Sequence, residues 1–120
     1  MLNRSSLLRL KGVDPKLVEV VKAAAQISPI PFQVTEGLRT RERQAYLVKT
    51  GKSKTMNSYH LKGKAVDLVA MPGGDVSWNL ADYKTLNVAM QKAAKKAGVT
   101  ITWGGTWKSI VDGVHWQIEA

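Results

Sequence analysis

The amino-acid sequence predicts a small domain of the α+β class. Three observations carry that expectation. Apolar patterns of helical and of strand period follow one another along the chain, proline and glycine punctuate them at short intervals, and no repeat, linker or low-complexity tract divides the 120 residues. A chain of this length with 44% hydrophobic residues has enough apolar surface for one core and too little for two, so residues 1–120 are expected to form one domain.

The elements are read in order. Asp14 followed by Pro15 has the form of an N-cap before a first-turn proline, and Leu17, Val18, Val21, Ala24 and Ala25 then recur at helical spacing. This helix is expected to run to about Ser28, where Pro29 and Pro31 stop it. Phe32 to Thr35 alternates as a short strand, Glu36-Gly37 turns the chain, and a second helix is expected from near Thr40 to Gly51. The polar stretch from Gly51 to Lys62 suits a loop lying over a site. A strand over Ala65 to Ala70 precedes the turn residues Pro72-Gly73-Gly74-Asp75. A long helix with Tyr83, Leu86, Val88, Ala89, Ala93 and Ala94 on its apolar positions is expected from about Leu80 to Gly98. Val99 to Trp103 and Val114 to Ile118 read as strands, with Gly104-Gly105 as a turn.

Composition limits the chemistry. Without cysteine there is neither a disulfide nor a thiolate metal site, so any metal must be held by imidazole and carboxylate, and only two histidines are present. No run approaches the roughly 18 to 20 apolar residues that span a bilayer, and the segment from Met1 to Leu10 lacks a long apolar signal core, so synthesis in the cytoplasm without membrane insertion is expected. Lys and Arg outnumber Asp and Glu 18 to 9, giving a net charge of +9 that favours polyanions in general. The basic residues are dispersed, which suits a solvated basic surface at least as well as a binding stripe; nucleic acid is not an expected partner.

Two segments carry the chemistry. In the first, His60 in a loop is followed by Asp67 inside the apolar strand Ala65 to Ala70. A carboxylate there needs a cationic partner, which a divalent metal or a Lys or Arg can supply, while His60 alone also suits a turn. In the second, His115 lies in a strand pattern three residues after Asp112. Regular strand geometry sends such residues to opposite faces, but Gly113 permits a bend or bulge that turns both toward one cavity; an ordinary hairpin glycine is the plainer reading. Two imidazoles and one carboxylate form a ligand set found in catalytic zinc sites that leave a position for water. A carboxylate outside that set must then move the proton, and Asp112 is the candidate.

The pattern Ser58-x-His60-x-x-Gly63-x-Ala65-x-Asp67, with Asp112 and His115 downstream, resembles the signature of the zinc D-alanyl-D-alanine carboxypeptidases and L-alanyl-D-glutamate endopeptidases. The resemblance extends to Glu36-Gly37-Leu38-Arg39-Thr40 with Gln44 and to Trp103-Gly104-Gly105. It implies an antiparallel sheet with helices packed on it and a metal site at the sheet. It implies Zn2+ held by His60, Asp67 and His115, and Asp112 as general base. It implies Arg39 contacting substrate and the oxyanion, as suits a charged fork of donors. Ser58 is expected to bind substrate or shape its loop, and Gln44 to support Arg39. Trp103, Trp107 and Trp116 are expected to be mostly core. Aspartate rather than glutamate as base is similar to phage endolysins. The resemblance therefore implies a monomeric enzyme that cuts the peptidoglycan stem peptide between L-alanine and D-glutamate. It would be made in the host cytoplasm, released to the wall by a holin, and have no separate wall-binding domain. A D-alanyl-D-alanine carboxypeptidase and a non-catalytic wall-binding module are the alternatives.

Overall fold

Strand β2 (Ala65–Ala70) is the organising element, and the parity of its side chains separates the face packed on the helices from the face that carries Asp67. The computed structural model describes residues 2–53, 58–107 and 111–119; the middle of the loop expected over Gly51 to Lys62, residues 54–57, lies outside them. The described elements are α1 (Arg4–Arg9), α2 (Pro15–Ile27), β1 (Phe32–Glu36), α3 (Arg41–Lys49), β2, α4 (Leu80–Ala97), β3 (Ile101–Trp103) and β4 (His115–Ile118). Short 3-10 turns cover Tyr59–Lys62 and Gly104–Thr106. The strands form one antiparallel sheet in the order β1-β2-β4-β3, as the α+β expectation required.

Val66, Leu68 and Ala70 point to the core, where they meet Leu17, Val20, Val21 and Ala24 of α2 and Tyr83, Leu86, Ala89, Met90, Ala93 and Ala94 of α4. Trp116, opposite Val66, is fully buried, stacks on Trp103 at 6.1 Å and donates its indole N–H to Asn87 Oδ1 at 3.1 Å. That bond lets a large apolar ring be buried without orphaning its donor. The helix limits agree with their caps: Asn79 accepts from Ala81 N–H at the start of α4, and Gly98 closes it at φ 77°. Val88, expected on the apolar side of that helix, is instead exposed, and Met90 takes a core position.

Helix α1 was not expected from the sequence. It is a short element capped by Asn3, and Ser6 is its buried residue. It covers the sheet edge: Ser6 Oγ accepts from Val34 N–H at 2.9 Å and Arg9 donates to Val34 C=O at 3.3 Å. The outer groups of β1 are thereby occupied rather than left as a template for another strand.

Asp67 belongs to the opposite parity of β2, away from the helices. Antiparallel partners share a face, so His115, paired with Asp67, and Gln117, paired with Ala65, lie on it too. Glu36 joins them through an irregularity. Phe32 and Val34 pair with Ala70 and Leu68, but the register shifts between Val34 and Glu36, so Glu36 lies opposite Asp67. This bulge reverses the side on which Glu36 would otherwise emerge.

Candidate metal centre and cleft

His60 approaches from outside the sheet, in the 3-10 turn that leads into β2. Ser58 Oγ accepts from His60 N–H at 3.2 Å at its start, and Gly63 ends it in the left-handed region at φ 68°. The His60 ring is buried, and its Nδ1 lies 2.8 Å from Gly37 C=O. A carbonyl only accepts, so Nδ1 carries a proton, and Nε2 faces Asp67 Oδ1, 3.1 Å away, where it can offer a lone pair to a cation or, when protonated, donate to the carboxylate.

The second imidazole is arranged in the opposite sense. His115 Nε2 is 2.9 Å from Gln117 Oε1, while Nδ1 is 3.4 Å from the same Asp67 oxygen. Gln117 in turn donates to Glu119 Oε1 at 3.0 Å. His60, Asp67 and His115 each offer a ligand atom, all within 4.8 Å of one another. Two imidazole lone pairs aimed at a carboxylate oxygen repel unless a cation lies among them, so the donor set suits a metal and, without one, holds protons.

The charge state of the ligands reflects that demand. Burial alone would raise the Asp67 pKa, but hydrogen bonds from His115 and His60 and their charges hold it well below the usual carboxylate range. Burial opposes the imidazolium of His115, yet bonding to Asp67 and Gln117 and the charges of Asp67 and Asp112 raise its pKa. Asp112 is shifted the other way from Asp67: burial first and the Asp67 charge second raise its pKa, with partial relief from His115, His60 and Arg39.

Asp112 precedes β4 in a turn rather than lying in the strand. Its N–H donates to Gly104 C=O at 3.0 Å, its carbonyl accepts from His115 N–H at 3.2 Å, and Trp103 Nε1 donates to Gly113 C=O at 2.8 Å. Gly104 is required for this docking, because a Cβ there would overlap the Asp112 carbonyl oxygen. Among the described residues, none hydrogen-bonds the Asp112 carboxylate, which lines the same cleft as the three ligand residues.

Arg39 forms the opposite wall, its side chain largely buried. Nε and one terminal nitrogen grip the two Glu36 carboxylate oxygens at 2.8 and 2.9 Å, and the other terminal nitrogen donates to Gln44 Oε1 at 2.7 Å. The guanidinium also comes within 3.8 Å of Asp67 Oδ2. Gln44 is fully buried and donates to Ser53 Oγ at 2.8 Å, so it links Arg39 to Ser53. Arg39 N–H donates to His60 C=O at 2.9 Å, locking the arginine segment to the histidine turn.

The structure thus brings His60, Asp67, His115, Asp112, Arg39 and Ser58 to one open cleft of about 450 Å³, with Gln44 behind Arg39. Trp103 and Trp116 are core as expected, whereas Trp107 tilts against His115 at 5.1 Å and lines the cleft. Reasoning from sequence placed Glu36 only in a turn, whereas it ends β1 and holds Arg39, and assigned no role to Gln117 or Glu119. For Gln117 a signal existed, since a residue two places past His115 in a strand shares its face.

Comparison with known proteins places the chain among peptidases. The phage L-alanyl-D-glutamate peptidase family matches residues 1–117. The L-alanyl-D-glutamate peptidase of Listeria phage A118 is 37% identical over 111 residues, covering 87% of this chain but only 38% of that protein. The enzyme of the same name from Escherichia phage T5 is 28% identical over 91% of this chain and 82% of its own length. The crystal structure of the Serratia marcescens L-Ala D-Glu endopeptidase ChiX superposes with a TM-score of 0.93 at 44% identity, covering 99% of this chain and 90% of that one. With the fold and nearly the whole sequence in agreement, the chain belongs to the phage L-alanyl-D-glutamate peptidase family.

Proposed function

We propose that this protein is a zinc-dependent endopeptidase that hydrolyses the L-alanyl-D-glutamate bond of the peptidoglycan stem peptide. The observation that carries the reading is the convergence of His60, Asp67 and His115 beside the carboxylate of Asp112 in one open cleft. Family membership supplies the bond. Tetrahedral ligands about 2.0–2.1 Å from zinc stand roughly 3.3 Å apart, close to the 3.1 and 3.4 Å separating the two imidazole nitrogens from Asp67 Oδ1. Zinc bound here would supply Lewis acidity, making water a better acid and polarising the scissile carbonyl.

The chain's own residues do the rest. Asp112 accepts the proton of the attacking water and delivers it to the leaving D-glutamate amine, a task suited to a carboxylate that lines the cleft beside His60, Asp67 and His115. Arg39, held by Glu36 and Gln44, keeps part of its donor fork for a substrate oxygen and steadies charge as it develops there. Ser58 shapes the His60 turn and presents its hydroxyl to the cleft, where it can also meet substrate. One chain supplies every proposed site residue, so the working unit is a monomer. As a phage endolysin the protein would reach the wall from the host cytoplasm through a holin, and its +9 charge would favour the anionic wall.

The experiment is mass spectrometry of peptidoglycan digested by the purified protein, with and without chelator. New amino-terminal D-glutamate, lost on chelation and restored by zinc, is the expected result. Undiminished digestion after verified metal removal would overturn the mechanism, and release of free D-alanine would show a carboxypeptidase instead.

A further inference from the structure

We infer that Gln117 and Glu119 are positioning residues that hold His115 in the one tautomer able to ligate metal. This rests on the ligand assignment proposed above. The two imidazoles are secured by different means. His60 is anchored to a backbone carbonyl, Gly37 C=O, which cannot exchange acceptor for donor. His115 is anchored to a side-chain amide, which can. If the Gln117 amide turned over, its NH2 would face His115 Nε2, the ring proton would move to Nδ1, and the nitrogen now facing Asp67 would lose its lone pair.

Glu119 prevents that turnover. Its carboxylate only accepts, and Oε1 takes the Gln117 NH2 at 3.0 Å; a reversed amide would set oxygen against carboxylate. The other oxygen, Oε2, lies 3.4 Å from the hydroxyl of Tyr59, the residue before His60, and Glu119 N–H donates to Thr100 C=O at 2.9 Å. The directionality therefore runs from a carboxylate near the surface, through one amide, to the ligand histidine. Strand periodicity lines up the residues His115, Gln117 and Glu119 on one side, and Ala65 opposite Gln117 is too small to obstruct them.

The test reads tautomer and metal affinity rather than turnover. Side-chain 15N shifts of zinc-free protein, at a pH where the rings are neutral, should show His115 protonated at Nε2. Gln117→Leu should mix the tautomers and weaken zinc binding, measured by chelator competition, about 10–100-fold. Glu119→Ala, at an exposed position that folding tolerates, should do the same to a smaller degree. The double variant Gln117→Glu/Glu119→Gln reverses the middle bond, so that a carboxylate accepts directly from Nε2–H and an amide donates to it. It should restore both readouts, which a loss of general packing would not allow. Unchanged tautomer and affinity in Gln117→Leu would overturn the inference, and the same result in Glu119→Ala would remove Glu119 from it. Wild-type protein that binds zinc in the expected tautomer but cleaves no peptide would refute the proposed function and leave this inference standing.

Discussion

Asp67 and Asp112 line the same cleft, yet their surroundings push their pKa values apart, one down and one up. Such divergence is how one residue type can serve two roles, here those proposed: a charged ligand for Asp67 and a proton carrier for Asp112. Asp112→Asn keeps the shape and removes the basic oxygen, so it should lower kcat about 10²–10⁴-fold while zinc stays bound, checked by steady-state kinetics alongside metal analysis. Retained activity would dismiss Asp112 as the base. His115 yields a prediction about pH in the metal-free protein. Its folded pKa is raised, so its stabilising contribution is complete below the unfolded value of about 6.5 and is lost as pH rises through the folded one. Asp67 acts in the opposite direction: its lowered pKa contributes above about 3.9 and is lost as pH falls through the folded value. Urea unfolding with chelator present should therefore show stability falling as pH rises above about 6.5, and His115→Asn should abolish that fall. A profile flat from pH 6 to 9 in the unsubstituted protein would contradict the coupling.

Among the elements, those whose signals are local were legible in the sequence. Strand β2 and helix α4 emerge near their expected limits because alternation, the Asn79 cap and the Gly98 stop reside within them. Helix α1 carries a local Asn3 cap but spans only Arg4–Arg9, too short for an apolar period to mark it, and it is held by the edge of β1 through Ser6 and Arg9. The bulge before Glu36 was equally hidden. Strand parity read from Phe32 and Val34 sends Glu36 to the core side, and only pairing with β2 reveals that it meets Arg39. The three residues proposed to hold metal and Asp112 stood out in the sequence because their chemistry selects them from few candidates; the residues that hold them in place are common types chosen by geometry. Gly104 joins the two levels, being visible as a turn but important because the Asp112 backbone docks on it. Gly104→Ala should displace the Asp112 turn and reduce kcat/KM on the order of 10²-fold, with zinc still bound. Comparing its kinetics and metal content with those of Asp112→Asn provides the check, and full activity would show that Asp112 tolerates displacement.

At the scale of the whole molecule, the ligands come from the turn Tyr59–Lys62, from β2 and from β4, so a bound ion would tie together segments far apart in sequence. The unfolded chain lacks that arrangement, and metal binding must then appear as folding stability. With zinc at roughly a thousand times its Kd, the gain is about 4 kcal/mol, which in a domain of this size corresponds to a Tm increase on the order of 10 °C. Calorimetry of three proteins separates the contributions. The unsubstituted chain and Asp112→Asn should gain equally from zinc, because Asp112 is proposed to handle protons rather than metal. His115→Ala should gain little, since removing a ligand disconnects β4 from the site. If Asp112→Asn lost the thermal gain while His115→Ala kept it, the assignments of base and ligand would have to be exchanged, and the orientation of His115 by Gln117 would lose its purpose.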